Sequence, residues 1–326
     1  ANIEEELPVE ENTIYRIFSM TKPVTAVALM TLYEEGKFEL DDKLSMYIPE
    51  FADVMVYNPV TASLEPQENE LTIRNLMTHT SGILYGWGQS YVDSLYRVTG
   101  VGGWDSVTIG DQVKLLATLP LKFQPGTAYE YGLSIDVAGY LIEVLSGVPL
   151  DEYFQSKIFD PLQMDDTGFY VPEEKHNRLA GLYYRDKENK LNQALWGGDR
   201  FKQPAMLFSG GGGLVSTMDN YLIFCQMLLK GGSHNGVKIL EESTVKLIMS
   251  DQLPETASYR EGYGYGLSGQ VNLESGEYSW AGAASTNFWI DPSTRMIVIT
   301  YAQLMPSDYS YAYEFHKLVK SALINE

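Results

Sequence analysis

Ser19-Met20-Thr21-Lys22, followed at once by Pro23, sets a hydroxyl and an amine three residues apart where the apolar run Ile14 to Phe18 meets a helical one. A serine hydroxyl is a poor nucleophile near neutral pH until a neighbouring base takes its proton. On a helical turn, residues i and i+3 share a face, so Lys22 can reach Ser19 by local geometry alone. The chemistry this suggests is nucleophilic attack by a serine whose proton a neighbouring base removes. Proline is tolerated only in the first turn of a helix, so Pro23 keeps both groups at the helix mouth. There the free backbone N–H groups and the positive end of the dipole favour developing negative charge.

A second Ser-x-x-Lys, Ser243 to Lys246, competes for the same reading. It follows Glu241-Glu242 and precedes Val245, Leu247, Ile248 and Met249, which is the pattern of a serine-capped amphipathic helix. The helix after Ser19 has no acidic first turn. It carries Val24, Val27, Ala28, Leu29 and Leu32, apolar almost all round, as a central buried helix would.

Other motifs carry less. Gly264-x-Gly266-x-x-Gly269 has the letters of a dinucleotide fingerprint, but strand-like residues follow it where the pyrophosphate needs a helix terminus. The run Gly210 to Gly213 lacks the Lys-Ser/Thr of a phosphate loop and is better suited to close backbone approach. The four histidines, His79, His176, His234 and His316, show no metal-ligand spacing, so neither a metal nor a cofactor is expected. No Gly-x-Ser-x-Gly elbow occurs; Gly132-Leu-Ser-Ile-Asp lacks the closing glycine. If Ser19 is a nucleophile, a lysine or a tyrosine must activate it.

The elements that must position these groups follow from periodicity. Residues 22 to about 171 read as mainly helical, interrupted by turn-rich loops at Asn58 to Asn69 and Tyr85 to Asp105. Ile135 to Leu145 has a helical period and stops at Gly147. The glycine run leads into a helix whose start is marked by Ser216, Thr217 and Asp219. After Gly262 the pattern becomes short strands: Tyr263 to Asn272, Glu277 to Ala283, Asn287 to Ile290 and Met296 to Tyr301. Hairpin-length connections imply antiparallel pairing. Tyr311 to Ile324 closes the chain as a helix. The fold class is α+β: a helical lobe over about residues 23–175 and a sheet lobe from about 1–22 and 176–326, forming one catalytic unit.

Composition sets the outer bounds. The 326 residues are 44% hydrophobic, enough for a large core. A formal net charge of −20 disfavours a nucleic-acid partner and docking on anionic membranes. No apolar run reaches the length that crosses a bilayer. The single cysteine, Cys225, sits among Leu222, Ile223, Phe224, Met227 and Leu228 as a core residue. Nothing in the sequence sets the oligomeric state.

Several longer stretches now point to a family. They are Ser19-Met-Thr-Lys-Pro-Val, Leu76-Met-Thr-His-Thr-Ser-Gly-Ile83, Phe123-Gln-Pro-Gly-Thr-Ala-Tyr-Glu-Tyr131 and Asp136-Val-Ala-Gly-Tyr-Leu-Ile-Glu143. Phe159 to Phe169, Gly210 to Thr217 and Trp280-Ala-Gly-Ala283 continue the pattern. In order and spacing the chain resembles the serine β-lactamase and penicillin-binding-protein superfamily, in the branch of class C β-lactamases and family-eight carboxylesterases. The resemblance implies a β-lactamase/transpeptidase-like fold, with an antiparallel sheet flanked by helices. It also implies that a helix and two strands usually precede the first motif; they lie outside this sequence, so the sheet is expected to be incomplete.

For the site, the resemblance implies Ser19 as nucleophile, Lys22 and Tyr131 sharing the proton work, and an oxyanion hole from the backbone N–H groups of Ser19 and Ala283. Trp280-Ala281-Gly282 and Leu133 stand where the family contacts its substrate. Two of these depart from the polar pattern: Leu133 replaces an asparagine and Trp280 a lysine. A β-lactamase uses such groups to hold a polar substrate, and losing them is costly in binding. The expectation is therefore a carboxylesterase on small acyl esters. β-Lactamase or D-amino-acid peptidase activity, and a non-catalytic penicillin-binding-like sensor, are the alternatives. Whether neutral Lys22 or a Tyr131 phenolate accepts the serine proton stays open. His79 reads as a structural helix-end histidine. Tyr85, Trp87 and Trp104 lie in an aromatic loop that either lines an acyl pocket or packs.

Overall fold

The computed structural model describes residues 1–103, 107–194 and 199–323. Trp104 and Asp105, at the end of the second expected loop, and Ile324 lie outside the described residues. The strand Ile14–Arg16 runs antiparallel to Val215–Thr217, pairing Ile14 with Thr217 and Arg16 with Val215. Phe18 then takes a left-handed φ of 43°, which turns the chain out of the strand into a single 3-10 turn, Phe18–Met20. The helix Thr21–Glu34 follows without a break.

That helix is buried from Thr21 through Leu32 on every face. It packs against Ser134–Ser146, which ends at Gly147 in the left-handed conformation that a residue without Cβ adopts freely. The glycine run passes between the two helices. A Cβ on Gly210 would lie 2.8 Å from the Ile135 carbonyl oxygen and 3.2 Å from Gly139 Cα, so only glycine permits this approach. Thr25 Oγ1 donates to the Gly210 carbonyl at 2.6 Å, and the Leu214 N–H donates to Thr21 Oγ1 at 3.1 Å. The run is thereby sewn to the helix Thr21–Glu34.

Five antiparallel strands form the main sheet, in spatial order Met296–Thr300, Thr286–Asp291, Tyr278–Gly282, Gln270–Asn272 and Tyr263–Tyr265. The fold class is therefore α+β, as expected from the periodicity. Gly282 brings the sheet to the turn that carries Ser19: a Cβ there would sit 2.2 Å from the Ile17 carbonyl oxygen. One contiguous apolar core runs from Val27 and Leu29 through Leu141 to Phe288 and Ile290.

Several elements differ from the periodicity. Tyr263 to Asn272 is two strands, because Ser268 at φ 68° reverses the chain and the Gly266 N–H donates to the Gly269 carbonyl. The stretch read as a loop from Asn58 contains a small hairpin, Val56–Asn58 with Ser63–Glu65, whose Asn58 side chain caps the turn. The aromatic loop contains a helix, Tyr91–Thr99, capped by a reciprocal Ser90–Asp93 pair. Ser216 belongs to the strand, and Thr217 caps the helix Met218–Leu229. Ser243 lies exposed in the first turn of Glu242–Ile248, whose cap position is Glu241 without a side-chain bond. Among the described residues no helix is long and apolar enough to cross a membrane.

Candidate active site

Ser19 and Lys22 meet as the helical spacing requires, with Lys22 Nζ 3.3 Å from Ser19 Oγ. Lys22 is completely buried. Its nitrogen also donates to the Gly211 carbonyl at 2.6 Å and to the Tyr85 hydroxyl at 3.0 Å. Three polar partners, Ser19, Tyr85 and Gly211, surround the nitrogen, which is what makes burial of the group tolerable.

Tyr131 approaches Lys22 differently. The nitrogen stands 4.5 Å from the centroid of its ring, over the face. The ring also packs on Tyr85 (5.3 Å), His79 (4.8 Å) and Trp280 (5.5 Å between centroids). Gly132 sets this arrangement, since a Cβ there would fall 2.1 Å from the Ile83 carbonyl oxygen. The Leu133 N–H donates to the Leu84 carbonyl at 3.3 Å. Two backbone segments distant in sequence are thus pressed together, and their tyrosines, 85 and 131, flank the same lysine.

A buried carboxylate completes the charge pattern. Asp136 accepts from the Ser209 hydroxyl at 2.5 Å and from the Gly211 N–H at 3.2 Å. Burial pushes its pKa above the usual carboxylate value, opposed by the positive charge of Lys22 and by these hydrogen bonds. Burial also pushes the Tyr85 hydroxyl well above the ordinary phenol value, reinforced by Tyr131 and Asp136. His79 is fully buried with a left-handed φ of 54°, and burial, then Lys22, depresses its pKa well below normal. Its Nδ1 accepts from the Gly132 N–H at 3.4 Å, tying a neutral ring to the Tyr131 loop.

Ser19 opens into a cavity of about 810 Å³. Its wall includes Leu133 and Ala283 from the expected site, with Tyr85, Trp87, Val101 and Leu207. Trp280, Ala281 and Gly282 are not on that wall. They lie on the strand Tyr278–Gly282, where Trp280 packs on Tyr131 and Tyr265, and its Nε1 has no hydrogen-bond partner among the described residues. A separate cleft of about 540 Å³, between Asp151 and Lys175, includes none of Ser19, Lys22 and Tyr131 in its wall. Among the described residues no group of three His, Cys, Asp or Glu side chains is placed to hold a metal ion.

Sequence reasoning missed Asp136 and Gly211 as partners around Lys22, and treated Tyr85 only as an optional pocket wall. Asp136 had a signal: an acidic residue on the buried side of the apolar helix Ser134–Ser146. Gly211 had only the glycine run as a signal, which marked a close backbone approach without naming Lys22 as its partner.

Comparison with known proteins adds the lineage. The family model described as Beta-lactamase matches residues 1–320. Protein Rv1367c of Mycobacterium tuberculosis is 33% identical over 329 residues, 94% of this chain and 81% of that protein. Esterase EstB of Burkholderia gladioli is 26% identical over 322 residues, 90% of this chain and 78% of its own. Among solved structures, EstCE1, described as a hydrolase with promiscuous acyltransferase activity, superposes with a TM-score of 0.77 at 25% identity. It covers 93% of this chain and 83% of its own.

Proposed function

This chain belongs to the Beta-lactamase family, a family of serine hydrolases, and from that premise we propose that it is a carboxylesterase that forms an acyl ester on Ser19. The observation that carries this reading is the fully buried Lys22 hydrogen-bonded to Ser19, beside a cavity whose wall is largely apolar and also includes Arg97, Asp136 and Arg200. Small esters are the substrates that such a wall suits. Leu133, only 4% exposed, stands on that wall and offers the substrate no amide.

Ser19 Oγ attacks the ester carbonyl carbon. Its proton passes to the Lys22–Tyr131 pair, and the C–O bond to the alcohol breaks as that pair protonates the leaving oxygen. One water then attacks the acyl carbon, giving up a proton by the same route and releasing the acid and free Ser19. The backbone N–H groups of Ser19 and Ala283 stabilise the tetrahedral oxyanion, typically worth ~3 kcal/mol per donor. Asp136 and Gly211 hold Lys22 from behind, and Tyr85 supplies a fixed hydroxyl at its flank.

The test is hydrolysis of p-nitrophenyl butyrate, nitrocefin and a D-Ala-D-Ala peptide by the intact chain and by Ser19→Ala. Ester turnover that disappears in the variant is the expected result. Turnover in Ser19→Ala at the parent rate removes the nucleophile assignment. Faster turnover of nitrocefin or of the peptide replaces the esterase reading by a β-lactamase or peptidase one. Phosphonylation of Ser19 by a fluorophosphonate in a chain that turns over none of the three substrates replaces it by a binding domain.

A further inference from the structure

Trp87 is 76% exposed, yet it is neither loose nor isolated. One face of its indole stacks on Tyr85, with ring centroids 4.2 Å apart and planes 9° from parallel. It also forms part of the wall of the Ser19 cavity. The turn that carries it is braced. Arg97 Nη1 donates to the Gly86 carbonyl at 2.7 Å and to the Gly88 carbonyl at 2.6 Å. The Gly88 N–H donates to Asp93 Oδ1 at 2.9 Å. Gly86 sits at φ 81°, where a Cβ would lie 2.8 Å from Tyr96 Cβ. A large apolar ring held rigidly at a cavity wall binds a flat partner with little ordering cost.

We propose that Trp87, stacked on Tyr85 at the mouth of the Ser19 cavity, is a specificity-determining residue that holds the aromatic leaving alcohol of aryl esters. The inference rests on the esterase reading of the site. The direction follows from the reaction. The acyl group stays bonded to Ser19 through both steps, whereas the alcohol departs after the first. The acyl group therefore takes the enclosed wall of Tyr96, Val101, Leu133 and Leu207, each less than a tenth exposed, and the alcohol takes the open side at Trp87. The Tyr85 that backs the indole also bonds Lys22 through its hydroxyl. An aryl group on Trp87 thus lies one ring away from the group that protonates its oxygen.

The experiment compares 1-naphthyl acetate with ethyl acetate, which share an acyl group, on the intact chain and its Trp87→Ala and Trp87→Phe variants. Trp87→Ala lowers kcat/KM for the naphthyl ester about fivefold or more and leaves the ethyl ester within about twofold. Trp87→Phe recovers much of the loss. Deacylation is common to the two esters, because both give the same acetyl enzyme, so a difference between them lies in acylation. Equal losses on the two esters overturn the proposal. Calorimetric binding of 1-naphthol to Ser19→Ala, with and without Trp87→Ala, needs no turnover. Unchanged affinity there overturns the subsite, whereas a chain that hydrolyses neither ester but loses naphthol binding overturns only the esterase reading.

Discussion

Asp136 and Lys22 are joined through a single residue: Gly211 gives its N–H to the carboxylate at 3.2 Å and its carbonyl to the lysine nitrogen at 2.6 Å. The two side chains form no direct ion pair. A glycine is needed between them, since a Cβ at that position would lie 2.4 Å from Asp136 Oδ2. The carboxylate thus acts on Lys22 by field and by backbone, and leaves the face toward Ser19 clear.

Asp136→Asn separates these roles. The amide oxygen still accepts from Ser209 and Gly211, so the fold is retained. Loss of a negative charge makes deprotonation of the proton-accepting group easier, so the acid limb of the pH–rate profile moves to lower pH. The sign for stability is opposite to that of a salt-bridged carboxylate. Because burial raises the folded pKa of Asp136, its stabilising contribution is complete below the unfolded value near 4 and is lost as pH rises through the folded pKa. The variant should therefore melt no lower than the parent at pH 7 while its rate profile shifts. Calorimetry and a pH–kcat/KM series check both halves.

Tyr85→Phe and Tyr131→Phe distinguish the two phenols. Removing the Tyr85 hydroxyl deletes one bond to Lys22 but keeps the stack on Trp87. A hydrogen bond to a charged group is worth about 1.5–3 kcal/mol, so turnover should fall about tenfold to a hundredfold. Tyr131→Phe should cost about a hundredfold or more, as loss of a general base does. A larger loss in Tyr85→Phe would transfer the proton-carrying role to that residue. Single-turnover acylation rates make the comparison.

His79 predicts an acid limit on stability. Its folded pKa is depressed by burial and by Lys22, so its contribution is present above the unfolded value of about 6.5 and falls as pH drops toward the folded pKa. Each pH unit across that window costs about 1.4 kcal/mol. Denaturant midpoints between pH 7 and pH 5 should fall for the parent, and His79→Gln should flatten that part of the curve. An identical slope in the variant would assign the acid sensitivity to other groups, such as His234, whose pKa burial also lowers.

Most of the architecture was legible as pattern. The helical period from Ile135, its stop at Gly147 and the hairpin-spaced strands near the C-terminus reappear with boundaries moved by a residue or two. The misreadings have local causes. The glycines and Ser268 between Tyr265 and Gln270 reverse a run that looks continuous by composition. The helix Tyr91–Thr99 was hidden in a stretch rich in loop-forming residues, because its Ser90–Asp93 cap is a short signal among many serines and glycines.

By itself the sequence determined the Ser19–Lys22 pair, because positions three apart on a helical turn meet whatever the rest of the chain does. Only tertiary structure decided what surrounds that pair. Tyr85 and Gly211 reach Lys22 across 63 and 189 residues, through contacts that depend on Gly132 against Ile83 and Gly210 against Gly139. Sequence spacing encodes local geometry. Which distant backbone may approach closely is set by where side chains are missing, and that becomes visible only once the chain is packed.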